Sequence, residues 1–372
     1  MTDVLISGAS VAGITAAYWL AHHGYSVTVV ERHAGLRPGG QAIDVRGPAL
    51  TVLERMMLRA AADHRRTRIR GASVVDRDGN ELSRDTESTP TGGLIASPDI
   101  ELLRDDLVEL LYQATELNAE FLFEDSIAAL DDDGNAVAVT FERSAARSFD
   151  LVIGADGLHS NVRRLAFGPE EQFIDRLGTY AAIFTVPNFL RLDHWQMWHY
   201  GDKTMVGLYS ARDNAEARAM VGFMDADLHI DPADTAAQFA ELEKRMADDG
   251  WVRPQLLEYM RAAPGFYFDE MSQIKMDSWS KGRVALVGDA AYCCSPLSGQ
   301  GTSVALLGAY VLAGELAAAP DDHEKGFTSY QAEFQDYVKR NQWLVVDNIP
   351  GGAPIPQEVF DRIVNSITLK EY

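Results

Sequence analysis

Three short clusters place small residues and carboxylates where they could hold a phosphorylated ligand. Gly8, Ser10 and Gly13 stand in the run Gly8-Ala9-Ser10-Val11-Ala12-Gly13, and Glu31 follows Gly13 by 18 residues. Gly8 permits a tight turn, Ser10 is small enough for a pyrophosphate to approach the backbone, and Gly13 lets a helix pack closely on the preceding strand. The N-terminus of that helix offers free N–H groups and positive dipole to an anion. Glu31, closing a second strand, can accept from ribose hydroxyls. The glycine pattern alone would also suit a purely structural βαβ unit; the flanking strand, the helix and Glu31 make it read as dinucleotide binding. The second cluster is Gly154-Ala155-Asp156-Gly157 with Ser160 and Arg163, and the third is Gly288-Asp289 followed by Pro296, Gly299 and Gly301. In each, an Asp ends a buried strand, where ligands bind in open α/β sheets. The same position suits an Asp that merely caps the next helix.

The elements that must position these residues follow from periodicity. Val4-Leu5-Ile6 is a short apolar run, as a buried parallel strand should be. A helix runs to His23, and Val27–Glu31 is the second strand. Arg32 to Gly47 is a Gly/Pro-rich loop carrying Arg37, Asp44 and Arg46. Ala49–Leu58 has helical spacing. Residues 73–82 read as a hairpin around Arg77-Asp78-Gly79-Asn80. Residues 98–117 read as one helix capped by Ser97 or Asp99, with Leu102, Leu103, Leu107, Leu110 and Leu111 on its apolar face. Strands are expected at 120–124 and 136–142, with Asp131 to Asn135 as the turn. Residues 179–230 look β-rich, with a hairpin of His194–Tyr200 and Lys203–Tyr209. Helices are expected at 234–248, 254–262, 302–318 and 324–347. Pro350, Gly351, Gly352, Pro354 and Pro356 then break the chain before a short terminal helix.

The nucleotide-type strands therefore lie in three separated blocks with β-rich segments between them. This predicts an α/β fold: a discontinuous Rossmann-like domain (1–72, 97–174 and 273–323), an inserted β-sheet domain (73–96 and 175–272) and a C-terminal helical segment (324–372). The chain has 372 residues, 47% of them hydrophobic, which excludes a disordered protein. A net charge of −22 argues against nucleic acid or anionic membrane as the main partner. The two cysteines, Cys293 and Cys294, are adjacent, so no disulfide framework exists and a reducing, cytoplasmic setting is expected. They form no metal-ligand spacing, and neither do the nine histidines. No basic-plus-apolar leader precedes Asp3, and no run is long enough for a membrane span.

Taken together and in order, the motifs resemble those of the group A FAD-dependent monooxygenases typified by p-hydroxybenzoate hydroxylase. Within that group the chain is most similar to the tetracycline-inactivating flavin monooxygenases. The resemblance implies that Gly8, Ser10, Gly13, Glu31 and Arg32 bind the FAD nucleotide, and that Arg104, in Leu103-Arg104, contacts it too. It implies that Asp156 belongs to a motif touching both FAD and the nicotinamide cofactor. Asp289, Pro296, Gly299 and Gly301 are implied to hold ribityl and flavin ring, Asp44 to meet FAD, and Arg37 to meet NAD(P)H. Two departures stand out: Ser10 replaces glycine, and Tyr292 stands where the third motif often has His. No catalytic side chain is assigned, because the flavin carries the oxygen chemistry through a hydroperoxide. The partners implied are NAD(P)H as co-substrate, O₂, and an aromatic or polyketide-like small molecule, tetracycline-type antibiotics included, in a monomer or homodimer. A flavin-dependent halogenase or a reductase on the same fold are the alternatives, although Trp195-Gln196-Met197-Trp198 has the wrong spacing for the halogenase Trp-x-Trp element. A non-catalytic small-molecule binder is a third.

Overall fold

The computed structural model describes residues 1–202, 204–247, 250–345 and 355–372. Lys203, the last residues of the helices expected to end at 248 and 347, and Pro350, Gly351, Gly352 and Pro354 lie outside the described residues. The chain opens as the sequence predicts: β1 (Asp3–Ser7), α1 (Val11–His22) and β2 (Ser26–Glu31). Val4, Leu5 and Ile6 are fully buried, as strands covered on both faces must be. Then come β3 (Ala42–Val45), α2 (Pro48–Arg55), α3 (Arg59–His64) and the hairpin β4 (Ala72–Val75) and β5 (Glu81–Asp85). The Asp76 carboxylate closes that hairpin by accepting from the N–H groups of Asp78 and Asn80. Two short strands follow, β6 (Ser88–Thr89) and β7 (Gly93–Leu94).

The helix expected over 98–117 is shorter. Ile100–Leu103 is a strand, β8, antiparallel to β3, and α4 (Arg104–Thr115) starts at Arg104. Its first turn carries Asp105 and Asp106, which suit the positive end of the dipole. Neither expected cap serves: Asp99 instead accepts from the Gly47 N–H, and the Ser97 hydroxyl accepts from the Asp99 N–H. The acidic turn also moves. β9 (Glu120–Phe123) joins the main sheet, and the hairpin is β10 (Ile127–Asp132) with β11 (Val137–Phe141), extended by β12 (Arg147–Phe149). Asp131 and Asp132 are thus strand residues, and the turn is 133–136.

The remaining elements are β13 (Leu151–Gly154), α5 (Asn161–Ala166), β14 (Ile174–Pro187), β15 (Gln196–Tyr200), β16 (Thr204–Ala211) and β17 (Glu216–Met224). Next are α6 (Thr235–Arg245), α7 (Arg253–Met260), β18 (Tyr267–Ile274), β19 (Ser280–Lys281) and β20 (Val284–Leu286). The helices α8 (Asp289–Tyr292), α9 (Gly301–Ala317), α10 (His323–Trp343) and α11 (Gln357–Val364) complete the chain. α9 is apolar all round and buried from Ser303 to Leu316, as a helix packed between α1 and α10 requires.

Two large sheets organise the molecule. The first has the order β19-β20-β13-β1-β2-β9, parallel except for β19. The second, antiparallel apart from the β15–β4 pairing, has the order β18-β14-β17-β16-β15-β4-β5. It draws strands from two separate stretches of sequence, β4–β5 and β14–β18, with strands of the first sheet before, between and after them, so it is inserted into the Rossmann-like fold. α6 and α7 cover one of its faces, with Leu242, Leu256 and Met260 packed on Phe184, Val206, Leu208 and Val221. No helix among the described residues is long and apolar enough to cross a membrane.

Candidate cofactor site

The three clusters meet at the C-terminal ends of adjacent parallel strands. β1 lies between β2 and β13, and β13 pairs with β20. A Cβ on Gly8 (φ 105°) would stand 2.6 Å from the Ala155 carbonyl oxygen, and one on Gly13 would stand 1.9 Å from the Gly8 carbonyl oxygen. The turn, the helix and the chain just after β13 touch because those side chains are missing. A Cβ on Gly288 would lie 2.7 Å from the Ala12 side chain, so the third cluster closes on the same helix. Ser10 is the N-cap of α1 and makes no side-chain capping bond.

Glu31 fastens the turn. Its carboxylate accepts from the Ala9 N–H at 2.8 Å and the His33 N–H at 3.0 Å, with the His33 ring 2.7 Å away. Burial works to raise its pKa, but these hydrogen bonds and His33 hold it below the usual glutamate range. Arg32 beside it is exposed. Arg104 reaches across from α4 and donates to the Arg37 and Gly39 carbonyls at 3.2 and 2.8 Å. Its Nε is buried and has no hydrogen-bond partner among the described residues. Burial, helped by nearby Arg37, lowers the Arg104 pKa to about 10. The Arg37 side chain itself is exposed.

The Asp156 carboxylate faces inward. It accepts from the Ser160 hydroxyl at 2.5 Å and from the Val162 N–H at 3.0 Å, bracing the start of α5, which is the capping arrangement open at the sequence level. Asp289 differs: it is accessible at the head of α8 although protein surrounds it, and that burial raises its pKa. The loop beyond is backed by strain, with Ser295 at φ 70° ahead of the short turn Pro296–Ser298. Pro296 and Gly299 are exposed, and among the described residues nothing stands within 4 Å of where a Cβ on Gly157, Gly299 or Gly301 would be. Between those last glycines, Gln300 is fully buried, yet neither end of its amide has a hydrogen-bond partner among the described residues.

Asp44 sits apart from that edge on β3. It is buried, pairs with Arg46 at 2.9 Å and is tied to α9 through its carbonyl, which accepts from the Ser303 hydroxyl.

The sequence places Arg163 in the second cluster; the residues that join the two sheets, His159 with Asp269, and Arg218 and Tyr209, are the ones sequence reasoning passed over. Arg163, fully buried, donates to the Ala290 and Leu158 carbonyls and pairs with Glu170 at 2.9 Å, linking the second cluster to the third. His159 lies between Glu170 at 3.0 Å and Asp269 of β18 at 3.2 Å. Burial would lower the His159 pKa, but the two carboxylates outweigh it and lift the value to about 9. Arg218 donates to the Gly40 carbonyl, and the Tyr209 hydroxyl accepts from the Ala42 N–H. The face of the second sheet bearing Trp198, Tyr209, Met205 and Met220 is therefore the one turned to the β3 loop, and Trp195 and Met197 pack toward the helices. The sequence shows the alternation but not which face points inward.

The buried glycine cradle, the accessible Asp289 and the unbonded Gln300 and Arg104 nitrogens fit a long dinucleotide laid from Glu31 to the Gly299 loop. Comparison with known proteins agrees. The family described as FAD binding domain matches residues 1–342. An uncharacterised protein of Mycobacterium tuberculosis (strain ATCC 25618 / H37Rv) is 76% identical over 372 residues, the whole of both chains. A flavin-dependent monooxygenase of Legionella longbeachae is 38% identical over 387 aligned positions, covering 99% of this chain and 98% of the relative. Among solved structures, tetracycline destructase Tet(51) superposes with a TM-score of 0.90 at 34% identity over the full length of both chains.

Proposed function

Because this chain belongs to the FAD binding domain family and is a group A flavin-dependent monooxygenase like the tetracycline destructases, we propose that it hydroxylates an aromatic or polyketide-like small molecule, tetracycline-type compounds included, at the expense of NAD(P)H and O₂. The balanced reaction is substrate-H + O₂ + NAD(P)H + H⁺ → substrate-OH + NAD(P)⁺ + H₂O. Bound FAD would supply hydride acceptance and O₂ activation.

The chain's own residues supply position. Glu31, with Arg32 beside it, binds the ribose; Gly8, Ser10 and Gly13 admit the pyrophosphate to the α1 N-terminus. Arg104 fixes the 37–41 loop and offers Nε to the nucleotide. Asp156 braces the second motif. Asp289 takes the ribityl chain, and Pro296, Gly299 and Gly301 let backbone N–H groups reach the ring. Asp44, set back from that edge on β3, is read as meeting FAD, and exposed Arg37 as meeting NAD(P)H. The inward face of the second sheet, with Met205, Met220 and Tyr209, roofs the reacting edge and keeps water from it. In this reading residues 1–72, 97–174 and 273–323 carry the cofactor, 73–96 and 175–272 the substrate, and 324–372 close the back. Membership of the two sheets supports that division.

One observation carries the reading: three motifs from distant parts of the chain open on one edge of one parallel sheet. Purified protein is expected to be yellow, to release FAD on denaturation, and to oxidise NAD(P)H faster when a member of an aromatic and polyketide panel is added. Mass spectrometry should then find that compound heavier by one oxygen atom. A colourless protein that FAD cannot reconstitute, or NAD(P)H oxidation indifferent to every compound, refutes it.

A further inference from the structure

Register pairing puts Asp44 of β3 directly opposite Glu101 of β8. Like charges opposed across a strand pair repel, and here both lie inside the protein. Arg46 is the cation between them: it pairs with Asp44 at 2.9 Å and with Asp99 at 3.4 Å, and it is 6% exposed. Glu101 is served by neutral donors, the hydroxyls of Thr67 and Thr91. Thr91 also accepts from the Gln196 amide, which leaves its own proton free to point at Glu101. Three carboxyl groups thus share one close guanidinium. Asp44, Asp99 and Glu101 also line one cavity of about 170 Å³ that reaches the surface beside Leu94 and Ile95. On its inner side the Asp44 carbonyl accepts from Ser303, in the first turn of α9.

We propose that Asp44 and Glu101 form a carboxyl pair that retains one proton beside the cofactor loop, supplies the proton consumed in each turnover, and is refilled through this cavity. The proposal rests on the monooxygenase reading for its use, not for its existence. Glu101 is a positioning residue: it keeps the proton on the pair by facing Asp44. The other charged or titratable groups around the pair are Arg46, Asp99, Arg66 and Arg68, the last two on the cavity wall, and Tyr209 from β16. Burial is the chief cause that lifts both carboxyls; Arg46 opposes it, and Asp44, with Glu101 and Asp99 adding to the rise, reaches about 7.

The test is infrared titration of the FAD-loaded protein. A protonated-carboxyl band should disappear with a midpoint near 7. Asp44→Asn should abolish it, and Glu101→Gln should lower the midpoint by about one pH unit or more, a tenfold or greater loss of proton affinity, because a facing charge is gone. Absence of a band titrating in this range, or a band indifferent to Asp44→Asn, overturns the pair. Should a variant not fold, wild-type protein with ¹³C-aspartate decides: the band must shift with the label. The kcat for ligand-stimulated NAD(P)H oxidation should fall as pH rises through the band's midpoint with KM unmoved, and should fall at lower pH in Glu101→Gln. Identical kcat profiles in the two proteins overturn the supply role. A titrating band in a protein that never oxidises NAD(P)H upholds the proton-holding pair and refutes the function instead.

Discussion

His159→Gln should remove a pH-dependent clamp between the two sheets. The imidazole lies between Glu170, from the segment after α5, and Asp269, from β18, and its side chain is 28% exposed. The folded protein raises its pKa from 6.5 to about 9, a rise of roughly two and a half pH units. At about 1.36 kcal/mol per unit this is worth some 3 kcal/mol, and screening at the half-buried site trims it to about 2–3 kcal/mol. The sign follows from linkage: a cation stabilised by folding contributes fully below its unfolded value and loses that contribution as pH rises through its folded one. Urea denaturation of wild type and variant, at a pH below 6.5 and a pH above 9, measures it. The wild type should be more stable by about 2–3 kcal/mol at the lower pH, and the difference should shrink to a few tenths at the higher one. Titrating groups that do not touch His159 are common to both proteins and cancel in the comparison. An equal difference at both pH values would refute the reasoning, since the two carboxylates would then not be stabilising a charge.

Glu31→Ala should weaken FAD binding by about 1.5–3 kcal/mol, the range for hydrogen bonds to a charged group, measured by flavin fluorescence titration. It should also loosen the Gly8–Ala9 turn, because the carboxylate holds the Ala9 N–H; undiminished flavin occupancy argues against the ribose role. Arg37→Ala should raise the KM for NAD(P)H about tenfold or more, as loss of a charge-assisted contact does, while flavin stays bound. Steady-state kinetics on the yellow protein reads this, and loss of flavin would show that Arg37 serves the other nucleotide.

The main sheet and its ligand edge were legible because the information is local. Gly8, Gly13 and Glu31 lie within one βαβ unit, and each Asp stands at the end of its own strand. What was hidden is set by partners far along the chain. Ile100–Leu103 reads as helix because Leu102 and Leu103 extend the apolar spacing of α4; it is strand because β3, more than fifty residues earlier, pairs with it. β18 was absent from the sequence reading, and without it Asp269 had no place opposite His159, 110 residues away. The inward face of the β15–β16 hairpin could not be chosen, since both faces carry apolar side chains and it is distant partners, such as Ala42 against Tyr209, that distinguish them. Arg163 was legible as part of the second cluster, but its bond to the Ala290 carbonyl, 127 residues away, was not.

The strand order has a consequence for biosynthesis. β1 is the first strand made, but its neighbour β13 emerges only after residue 151, and β13 in turn waits for β20 at residues 284–286. A ribosome will have released most of the polypeptide before the nucleotide-holding half can close. Until then the growing sheet has an open flank, first on β1 and then on β13, the condition in which nascent chains are most prone to clump and to need a chaperone.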